Sequence, residues 1–304
     1  MRYLSLDNHK FCPSCLGLGC LAFGGYGVGF VDDQKLEQTF FKAIDSGINF
    51  FDTADIYGLG RAELFLGKLI SKTAGLRSKL LLASKFGVRR SDIGEIFYDN
   101  SIDWIEQALM ASLERLQTDY LDLYQLHYPD NKTPIEEVMN FLDKKRQEGV
   151  IRYFGVSNVS DNGVLSELAK KYPYFITAQM EGSLIHNPNT ANFPEQIAPI
   201  FYGVLAQGLL SGKYDKDSKF AENDARSRPK YVNFHGEKLA QNLEVVERLK
   251  VFAKKYGMTP TQMAFRWVLD HYPRAVALIG AKDQEQLIEA LESCSCVSQI
   301  DWTI

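Results

Sequence analysis

Short apolar runs alternate with longer amphipathic stretches along the whole chain. The short runs are rich in strand-forming residues and predict buried parallel strands, because both faces of such a strand are covered in the fold. We predict eight of these strands, over residues 16–20, 48–52, 80–84, 121–126, 151–156, 175–180, 199–203 and 276–279.

The longer stretches between the strands have the periodicity of amphipathic helices. They predict helices over residues 33–46, 61–72, 101–116, 134–148, 160–171, 237–256, 260–271 and 283–292, with a weaker one near 191–197. Several of these begin with a residue that suits a first turn, either as a cap or as a proline without a spare N–H. These residues are Asp33, Pro134, Thr259 with Gln262, Pro260 and Asp283.

The alternation of strands and helices determines the predicted fold. A helix-length crossover between consecutive strands requires those strands to be parallel. Eight such units match a closed (β/α)8 TIM barrel of the α/β class, which takes roughly 250 residues. Neither a linker nor a break in composition divides the chain, so we expect residues 1–304 to form a single domain. A doubly wound open sheet is the alternative.

Four chemically useful side chains stand where a barrel would place its reacting groups. In this fold the loops that follow the strands form a common mouth. Asp52, Lys85 and His127 lie at or one residue beyond the ends of three consecutive predicted strands. Tyr57 lies in the loop after Asp52. We therefore expect the four side chains to converge on one face of the barrel.

These groups suit the reduction of a carbonyl. A hydride that arrives at a carbonyl carbon leaves charge on the oxygen, so the site needs a proton donor and a group that polarises the oxygen. The phenol of Tyr57 has a reference pKa of about 10, which the ammonium of Lys85 would lower. Asp52 would keep that ammonium charged, and His127 would bind the oxygen. Taken singly, the same residues could be a loop cap, an ordinary tyrosine, a solvated lysine and a core histidine.

The segment GINFFDTADIYG at residues 47–58 resembles the most characteristic segment of the aldo-keto reductase family. The resemblance runs from about Leu16 to about Leu291 and keeps the family's order throughout. The other segments that carry it are SKFG at 84–87, YQLH at 124–127, GVSN at 155–158, AQGLLSGKY at 206–214 and IGAK at 279–282.

This resemblance implies a barrel enzyme that uses NADPH, or less often NADH, to interconvert a carbonyl and its alcohol. It assigns Tyr57 as the general acid, and Lys85 and Asp52 as the residues that tune its acidity. His127 is then the residue that orients the substrate carbonyl. These roles agree with those reasoned above from the chemistry of the side chains.

The resemblance also implies a set of cofactor contacts. Glycines let backbone N–H groups approach a pyrophosphate, and a lysine beside a 2′-phosphate favours NADPH by charge pairing. The implied residues are Ser157, Asn158 and Gln179 at the nicotinamide carboxamide, Tyr202 stacked on the ring, Gly208, Leu210, Gly212 and Lys213 at the pyrophosphate, and Gly280, Lys282, Gln286 and Glu289 at the adenosine end. Tyr202 could otherwise pack in the core, and Lys282 could be a solvated residue at the start of a helix.

Three positions depart from the family's pattern. Ala290 stands where relatives often have asparagine, and Gly182 where an aromatic residue is common. The segment Tyr202-Gly203-Val204 lacks the usual proline. None of these positions is one of the four catalytic candidates, so we expect them to affect the shape of the pocket.

Residues 17–22, GLGCLA, fit the loose dinucleotide-binding pattern G-x-G-x-x-G/A. A Rossmann site needs a helix directly after this motif. The glycine-rich segment FGGYGVG at 23–29 is a poor helix former. We predict a mobile loop at the barrel mouth there instead.

Composition narrows the choice of partners. The net charge is −4 and the basic residues are scattered, which gives no electrostatic reason to expect nucleic acid or an anionic membrane. No apolar run reaches the roughly 18 residues of a spanning helix, and no signal peptide is recognisable at the N-terminus. We expect a cytoplasmic protein that acts on small molecules, as a monomer or a small homo-oligomer.

Neither the cysteines nor the histidines form a metal-binding pattern. An odd number of cysteines predicts free thiols, and the C-x-x-C spacing of residues 12–15 has no second such motif to complete a zinc site. The histidines have no H-x-H or H-E-x-x-H spacing. We expect no metal site, so a metal-dependent barrel hydrolase is the weakest functional alternative. The cysteines are Cys12, Cys15, Cys20, Cys294 and Cys296, and the histidines His9, His127, His186, His235 and His271.

The substrate pocket is expected from residues 24–32, 86–100 and 128–132 and from the C-terminal tail. These loops mix aromatic residues with charges, namely Tyr26, Phe30, Phe97, Tyr98, Tyr128, Arg89, Arg90 and Asp130. Aromatic side chains suit a hydrophobic aldehyde or the face of a sugar, and the arginines could attract an anionic substrate. We expect a sugar, a sugar derivative or a small aldehyde. The alternative function is a catalytically idle, aldo-keto reductase-like cofactor-binding scaffold or regulatory subunit, like the potassium-channel β subunits.

Overall fold

The computed structural model describes residues 1–7, 10–159, 161–190, 192–222, 224–295 and 299–302. Ten strands are present in these ranges. Two form a small hairpin, β4 (Val88–Arg90) and β5 (Ile96–Tyr98). The other eight are β1 (Leu16–Gly19), β2 (Phe50–Asp52), β3 (Leu81–Phe86), β6 (Leu121–Leu126), β7 (Ile151–Ser157), β8 (Phe175–Glu181), β9 (Ala198–Tyr202) and β10 (Val276–Ile279).

These eight strands close into a parallel barrel. Their order around it is β1-β10-β9-β8-β7-β6-β3-β2, and Leu16 of β1 pairs with Ala277 of β10 to complete the ring. Almost every strand residue is buried, which is why the strands appear in the sequence as continuous apolar runs. The predicted (β/α)8 barrel is confirmed, and the doubly wound open sheet is excluded.

Helices connect most consecutive strands on the outside of the barrel. None of the described helices combines the length and the apolar character that crossing a bilayer requires. The helices are α1 (Asp33–Asp45), α2 (Arg61–Ser71), α3 (Ile102–Leu116), α4 (Ile135–Gln147), α5 (Asn162–Lys171), α6 (Gly236–Lys255), α7 (Pro260–His271) and α8 (Gln284–Leu291).

The helix starts follow the predicted capping chemistry in part. Thr259 and Gln262 form a capping box at α7, with Pro260 as the first helical residue. Asp283 caps α8. Two details are wrong by one residue. The side chain that caps α1 is that of Asp32, since Asp33 is already helical, and Pro134 precedes the first residue of α4.

The weak helix predicted near residues 191–197 is wrong. Residues 192–197 form turns between β8 and β9, and position 191 lies outside the described residues. Pro194 lacks the N–H that a helix interior would use, and Asn192 two residues before it favours a turn. Gln196 holds the connection in place, because its side-chain nitrogen donates to the carbonyl oxygens of Tyr172 at 3.2 Å and Phe175 at 3.1 Å.

An N-terminal hairpin packs across the amino end of the barrel. Its two arms pair through Leu6 and Phe11, whose backbone groups exchange hydrogen bonds of 3.0 and 3.2 Å. Leu4, Leu6 and Phe11 are buried against interior barrel residues that include Phe50 and Leu123. This end is therefore closed by apolar packing, which leaves the carboxyl ends of the strands as the open mouth.

The hairpin β4–β5 follows β3 at this mouth, in a region where the sequence predicted only a loop. In the glycine-rich segment 23–29 only the first two residues are helical, within the 3-10 helix Cys20–Gly24, and the rest forms no helix or strand, as predicted for a loop. No α-helix follows the GLGCLA motif directly, because α1 begins only at Asp33. The motif is therefore part of a barrel strand and the segment that follows it, and not a Rossmann site, as predicted from the sequence.

Candidate active site

Asp52, Lys85 and His127 lie at the carboxyl ends of three neighbouring strands. Asp52 ends β2, Lys85 is the last residue but one of β3, and His127 directly follows β6. The strand β3 pairs in parallel with both β2 and β6. The three residues therefore stand at the same edge of the barrel, as predicted.

Tyr57 reaches this edge from the loop between β2 and α2. Its backbone N–H donates to the carbonyl oxygen of Ala54 at 3.1 Å, within a series of tight turns. Gly58 follows with a φ of 62°, and a Cβ there would lie 2.1 Å from the carbonyl oxygen of Gly24. Only glycine allows this close approach, which fixes the Tyr57 loop against the segment after β1.

Lys85 links the carboxylate to the phenol. Its Nζ lies 2.6 Å from Oδ2 of Asp52, 2.9 Å from the carbonyl oxygen of Thr53 and 3.4 Å from the hydroxyl of Tyr57. The side chains of Lys85 and Asp52 are 0% and 2% exposed. A buried ammonium without such partners would cost several kcal/mol, so the ion pair is what allows a positive charge beside the phenol.

The two groups that share the proton chemistry have raised pKa values. Burial tends to lower the pKa of Lys85, but the Asp52 carboxylate and the hydrogen bonds to Asp52 and Tyr57 raise it by more. For Tyr57, burial raises the pKa by more than the Lys85 ammonium lowers it. The expectation of a net lowering is therefore wrong, because the sequence does not reveal how strongly the phenol is desolvated. Tyr57 is a protonated phenol at neutral pH, which makes it a proton donor.

His127 lies beside Tyr57 as a neutral imidazole. The two rings meet edge to face, with centroids 5.9 Å apart. Burial and the nearby Lys85 charge hold the pKa of His127 well below its usual value. Its Nδ1 is buried and has no partner among the described residues. His127 can therefore offer a hydrogen bond to a bound oxygen without carrying a charge of its own.

The second oxygen of Asp52 is held by two glutamines. The side-chain nitrogen of Gln179 lies 2.8 Å from Oδ1 of Asp52, and that of Gln125 lies 3.4 Å from the same atom. Gln125 in turn accepts a bond of 3.3 Å from the hydroxyl of Thr177. Gln125 was not among the predicted site residues, although it stands in the YQLH segment of β6.

Ser157, Asn158 and Tyr202 form one hydrogen-bonded group beside this cluster. Asn158 adopts a φ of 60°, and its side-chain nitrogen donates at 3.0 Å to both the hydroxyl of Ser157 and the carbonyl oxygen of His127. Its side-chain oxygen accepts a bond of 2.7 Å from the hydroxyl of Tyr202. The structure thus brings these three predicted cofactor residues next to His127.

Two of the departures from the family's pattern have structural reasons. A Cβ at Gly182 would lie 2.5 Å from the ring of Phe201, so a larger residue does not fit this backbone. Gly203, after Tyr202, has a φ of 69°. Proline is locked near −65° and could not replace it.

The predicted pyrophosphate loop is a tight turn after β9. Gly208 and Gly212 have φ values of 97° and 74° and flank a 3-10 helix, Leu209–Ser211. The side chain of Leu210 is buried in the core, and its backbone N–H donates to the carbonyl oxygen of Leu205 at 3.0 Å. The N–H groups of Gly208 and Gly212 are also used inside the turn. Lys213 is exposed and carries the loop's positive charge.

The predicted adenosine end lies after β10. Gly280 is exposed, and a Cβ there would have no neighbour within 4 Å, so the structure leaves open space beside it. Lys282 donates from Nζ to the carbonyl oxygen of Val28. Gln286 accepts a bond of 3.1 Å from the Lys282 N–H, and Glu289 lies further along α8, partly exposed.

Arg226 is a second cation at this end that the sequence did not single out. It pairs with Asp224 at 2.6 Å and donates to the hydroxyl of Tyr214. The pKa of Lys282 is lowered mostly by burial and further by the positive charge of Arg226. The backbone of Asp224 bridges to that of Gly27, so the segment after β9 crosses the loop after β1. We call this segment, residues 214–222 and 224–234, the strap; its Asp224 and the side chain of Lys282 both lie beside Gly29 in the loop after β1.

A buried acidic group lies behind Tyr57. Oδ1 of Asp55 is buried and has no partner among the described residues, while its backbone N–H donates to the carbonyl oxygen of Lys85 at 3.2 Å. Burial and the charge of Glu63 raise the pKa of Asp55 to about 8. Glu63 itself is paired with Arg115 at 2.7 Å and accepts from Ser84 at 2.6 Å. A backbone hydrogen bond from Ile56 and the charges of Arg115 and Lys85 lower the pKa of Asp55 by less than burial and Glu63 raise it.

A row of stacked aromatic rings runs from His127 to the rim of the barrel mouth. His127 stacks on Tyr128 at 5.3 Å, and Tyr128 stacks on Tyr98 of β5 at 5.1 Å. Arg89 of the same hairpin lies 3.9 Å above the ring of Trp104 and pairs with Asp99 at 2.6 Å. The rings suit an apolar or sugar-like substrate, while Arg89 is already neutralised.

One cysteine lies near the Asp52–Lys85 pair, since Cys20 is fully buried and the charges of both residues affect its pKa. Cys15, Cys20 and Cys294 are free thiols, Cys12 is partly buried, and Cys296 and His9 lie outside the described residues. Within the described ranges, no three His, Cys, Asp or Glu side chains are grouped so that they could hold a metal ion.

A family model described as the aldo/keto reductase family matches residues 15–301. Aldo-keto reductase YhdN of Bacillus subtilis is 34% identical, and the match covers 100% of this chain and 90% of that protein. Aldo-keto reductase yakc of Schizosaccharomyces pombe, whose name specifies NADP(+), is 33% identical over 90% of this chain and 82% of that protein.

Solved structures of similar proteins have the same fold. The glycerol dehydrogenase AKR11B4 from Gluconobacter oxydans superposes with a TM-score of 0.83 at 28% identity, over 99% of this chain and 98% of that one. The aldo-keto reductase AKR11C1 from Bacillus halodurans, in its holo form, has a TM-score of 0.74 at 25% identity, over 99% and 93%.

Proposed function

Because the chain belongs to the aldo-keto reductase family, a family of oxidoreductases, we propose that it interconverts an aldehyde, ketone or sugar carbonyl and the corresponding alcohol with a nicotinamide cofactor. The observation that carries this proposal is the position of Lys85. Its Nζ lies 2.6 Å from the Asp52 carboxylate and 3.4 Å from the hydroxyl of Tyr57, at the open end of the barrel.

Tyr57 is the proposed general acid and base. In the reducing direction a bound nicotinamide cofactor would be the source of the hydride that the carbonyl carbon accepts. Tyr57 donates its phenolic proton to the carbonyl oxygen, and the phenolate left behind is stabilised by the Lys85 ammonium 3.4 Å away. In the oxidising direction the phenolate takes the proton of the alcohol. Asp52 acts through Lys85, because it keeps the amine charged and in place.

His127 is the proposed polariser of the substrate oxygen. Its imidazole is neutral because its pKa is held well below the usual value. A neutral imidazole can donate one hydrogen bond to the carbonyl oxygen, and it does not compete with Tyr57 as a stronger acid. The side chain of Asn158 fixes the backbone of His127, through the bond to its carbonyl oxygen at 3.0 Å.

The proposed cofactor is NADPH, with NADH as the alternative. Ser157, Asn158 and Gln179 would hold the nicotinamide amide, and Tyr202 would stack on its ring. Lys213 would neutralise the pyrophosphate. Gly208, Leu210 and Gly212 would shape that turn, as their N–H groups are used within it.

The adenosine end favours the phosphorylated cofactor. Open space beside Gly280 fits the adenosine, with Gln286 and Glu289 along one side. Lys282 carries a positive charge at this end, beside the Arg226–Asp224 ion pair, and a lysine suits the 2′-phosphate of NADPH. The S. pombe relative carries NADP(+) in its name, which supports the same choice.

The proposed substrates are small aldehydes, sugars or sugar derivatives. The stacked rings of His127, Tyr128 and Tyr98 suit the apolar face of such a molecule. The structural relative from Gluconobacter is titled a glycerol dehydrogenase, which supports a polyol or its carbonyl form as a candidate. We also propose that residues 1–304 act as one domain, since the strands that supply the site come from most of the chain.

The experiment that tests this function is turnover across a panel of aldehydes, ketones and sugars. For each substrate, the oxidation of NADPH is followed by the loss of NADPH absorbance. The reverse reaction, oxidation of the alcohol with NADP+, is followed by the gain of the same absorbance. We expect turnover with at least some members of the panel, abolished by heat denaturation and unchanged by a metal chelator. Tight NADPH binding without turnover on any substrate would contradict the proposal and indicate a cofactor-binding scaffold.

A further inference from the structure

Three cations surround an exposed tyrosine at the rim of the barrel mouth. Tyr26, in the loop after β1, is 56% exposed. The guanidinium carbon of Arg228 lies 5.6 Å from the centroid of its ring, and that of Arg90 lies 5.7 Å from it. Arg228 also donates to the Tyr26 hydroxyl at 3.2 Å. Lys230 is close enough to contribute, after the two arginines, to lowering the pKa of Tyr26.

The tyrosine and its three cations come from three separate segments. Arg90 ends β4, Arg228 and Lys230 belong to the strap after β9, and Tyr26 belongs to the loop after β1. Like charges repel at such a distance, so their convergence costs free energy unless an anion joins them. We define this group, Tyr26, Arg90, Arg228 and Lys230, as the rim cluster.

The rim cluster differs from the other arginines of the mouth by its lack of acidic partners. Arg89 is paired with Asp99, Arg226 with Asp224 and Arg61 with Asp33. Throughout the described part of the chain, no carboxylate forms an ion pair with any cation of the rim cluster. The cluster therefore presents uncompensated positive charge.

The rim cluster stands next to the catalytic group. A Cβ on Gly24 would lie 2.7 Å from the backbone of Tyr57, and Tyr26 follows only two residues later, a span of at most about 7 Å along the chain. On the other side, Arg90 lies in the hairpin whose Tyr98 ends the row of rings that begins at His127. The rim cluster therefore joins the loop that contacts Tyr57 to the hairpin that carries Tyr98.

We propose that the rim cluster binds an oxyanion of the substrate, so that the enzyme prefers carbonyl compounds that carry a carboxylate or a phosphate. Arginine binds both groups through paired N–H donors, and the Tyr26 hydroxyl adds a further donor. This inference rests on the proposed reductase function. It adds that the charge of the substrate, read at the rim, determines specificity while Tyr57 performs the proton transfer.

The test compares substrates that differ only in charge. D-Glyceraldehyde 3-phosphate is paired with D-glyceraldehyde, and succinic semialdehyde is paired with butanal. We expect the wild-type kcat/KM to be higher for the anionic member of at least one pair. Added NaCl should weaken that advantage, because exposed charges are screened. The phosphate pair and the carboxylate pair distinguish the two sources of the oxyanion.

Charge reversal at the rim cluster supplies the decisive variant. Arg90→Glu combined with Arg228→Glu should lower kcat/KM for the anionic substrates at least about tenfold, since two favourable charges become repulsive. The neutral substrates should change less than about twofold. Arg90→Lys with Arg228→Lys should retain most of the preference. Lys79→Glu makes the same kind of charge change at the amino end of the barrel, on an exposed residue before β3, and should alter neither substrate.

Three results would overturn the inference while leaving the reductase function intact. They are equal losses on charged and neutral substrates, no wild-type preference for either anion, and a rise in the KM for NADPH that accounts for the whole loss. The last would assign the rim cations to the cofactor. Failure to reduce any substrate, neutral ones included, would instead contradict the proposed function itself.

Discussion

The side-chain amide of Gln179 donates to Oδ1 of Asp52 at 2.8 Å, although the two residues lie 127 positions apart in the sequence. Oδ2 of the same carboxylate holds Lys85 at 2.6 Å. Both oxygens of Asp52 are thus occupied, and the carboxylate has one orientation. The resemblance placed Gln179 at the nicotinamide, and the structure shows that it also positions the counter-ion of Lys85.

Replacement of the carboxylate should destabilise the fold as well as the chemistry. Asp52→Asn leaves the fully buried Lys85 without a counter-charge, which costs about 3 kcal/mol in free energy of unfolding. We also expect turnover to fall, because the amine would lose its charge more easily. Urea unfolding and steady-state kinetics measure the two effects.

The matched control for this variant is Asp33→Asn. Asp33 pairs with Arg61 at the surface, where the side chains are 61% and 36% exposed. Its loss should change the free energy of unfolding by less than about 1 kcal/mol. Equal losses of unfolding free energy in the two variants would show that the buried Asp52–Lys85 pair stabilises the fold no more than the exposed pair does.

The pH dependence of reduction should be flat through neutrality. The pKa of Tyr57 is raised by burial, so the phenol keeps its proton, and the pKa of His127 is lowered, so the imidazole stays neutral. Neither group titrates near pH 7. We expect kcat for reduction to stay constant between about pH 6 and about pH 9 and to fall only at more alkaline pH, whereas oxidation speeds up as Tyr57 ionises.

The measurement is kcat in both directions at constant ionic strength. Enzyme held at each pH and then assayed at neutral pH provides the control for denaturation. A reduction profile that loses activity with a midpoint near pH 7 would contradict these protonation states.

Asp55 should make stability depend on pH. Its pKa rises from 3.8 in the unfolded chain to about 8 in the fold, because burial and Glu63 disfavour its charge. Below the unfolded pKa both states are protonated. Between the two values the unfolded chain loses the proton and the fold keeps it, so the stability falls as the pH rises through this window. Asp55→Asn removes this loss.

As the pH rises from about 5 to about 8, we expect the free energy of unfolding of the Asp55→Asn variant to increase relative to that of the wild type by up to a few kcal/mol. Urea unfolding at both pH values gives the difference. Asp119→Asn, which removes an exposed carboxyl, should leave the pH slope unchanged. Parallel pH slopes for the wild type and the Asp55 variant would refute the raised pKa.

Gly58 should be essential for the position of Tyr57. A methyl group there would come within 2.1 Å of the carbonyl oxygen of Gly24, at a φ of 62°. Gly75→Ala is a close control, because Gly75 has a φ of 71° but no atom within 4 Å of the added Cβ. The control suffers backbone strain alone, about 1 kcal/mol.

We expect Gly58→Ala to lower the melting temperature by more than Gly75→Ala and to reduce kcat as the Tyr57 loop shifts. Calorimetry and kinetics on the two variants give the comparison. Equal melting temperatures and an unchanged kcat would mean that the contact with Gly24 does not position Tyr57.

The barrel and its four catalytic candidates could be predicted because each has a local signal. Buried strands appear as apolar runs, and the ends of those runs mark the mouth, where Asp52, Lys85 and His127 stand. The prediction of a helix near 191–197 is wrong because Pro194 and its polar neighbours disfavour a helix, although the apolar residues of the segment have helical spacing. Local patterns therefore predict elements and their ends.

Other features depend on contacts that no local pattern encodes. The net direction of the Tyr57 pKa depends on how deeply the loop buries the phenol, and the sequence shows only the nearby lysine. Lys85, which taken singly could have been a solvated lysine, is fully buried in the fold. The rim cluster needs three loops to meet, and Arg228 has no motif that links it to Tyr26.

The central claim is that the phenol of Tyr57 transfers the proton. The most direct test measures the turnover rate and the NADPH dissociation constant of the Tyr57→Phe variant. The control is Tyr3→Phe, at the closed end of the barrel. We predict that Tyr57→Phe keeps NADPH affinity within several-fold and loses turnover by about 10² or more, the scale of a lost general acid. Turnover close to that of the wild type, with the same NADPH affinity, would contradict it.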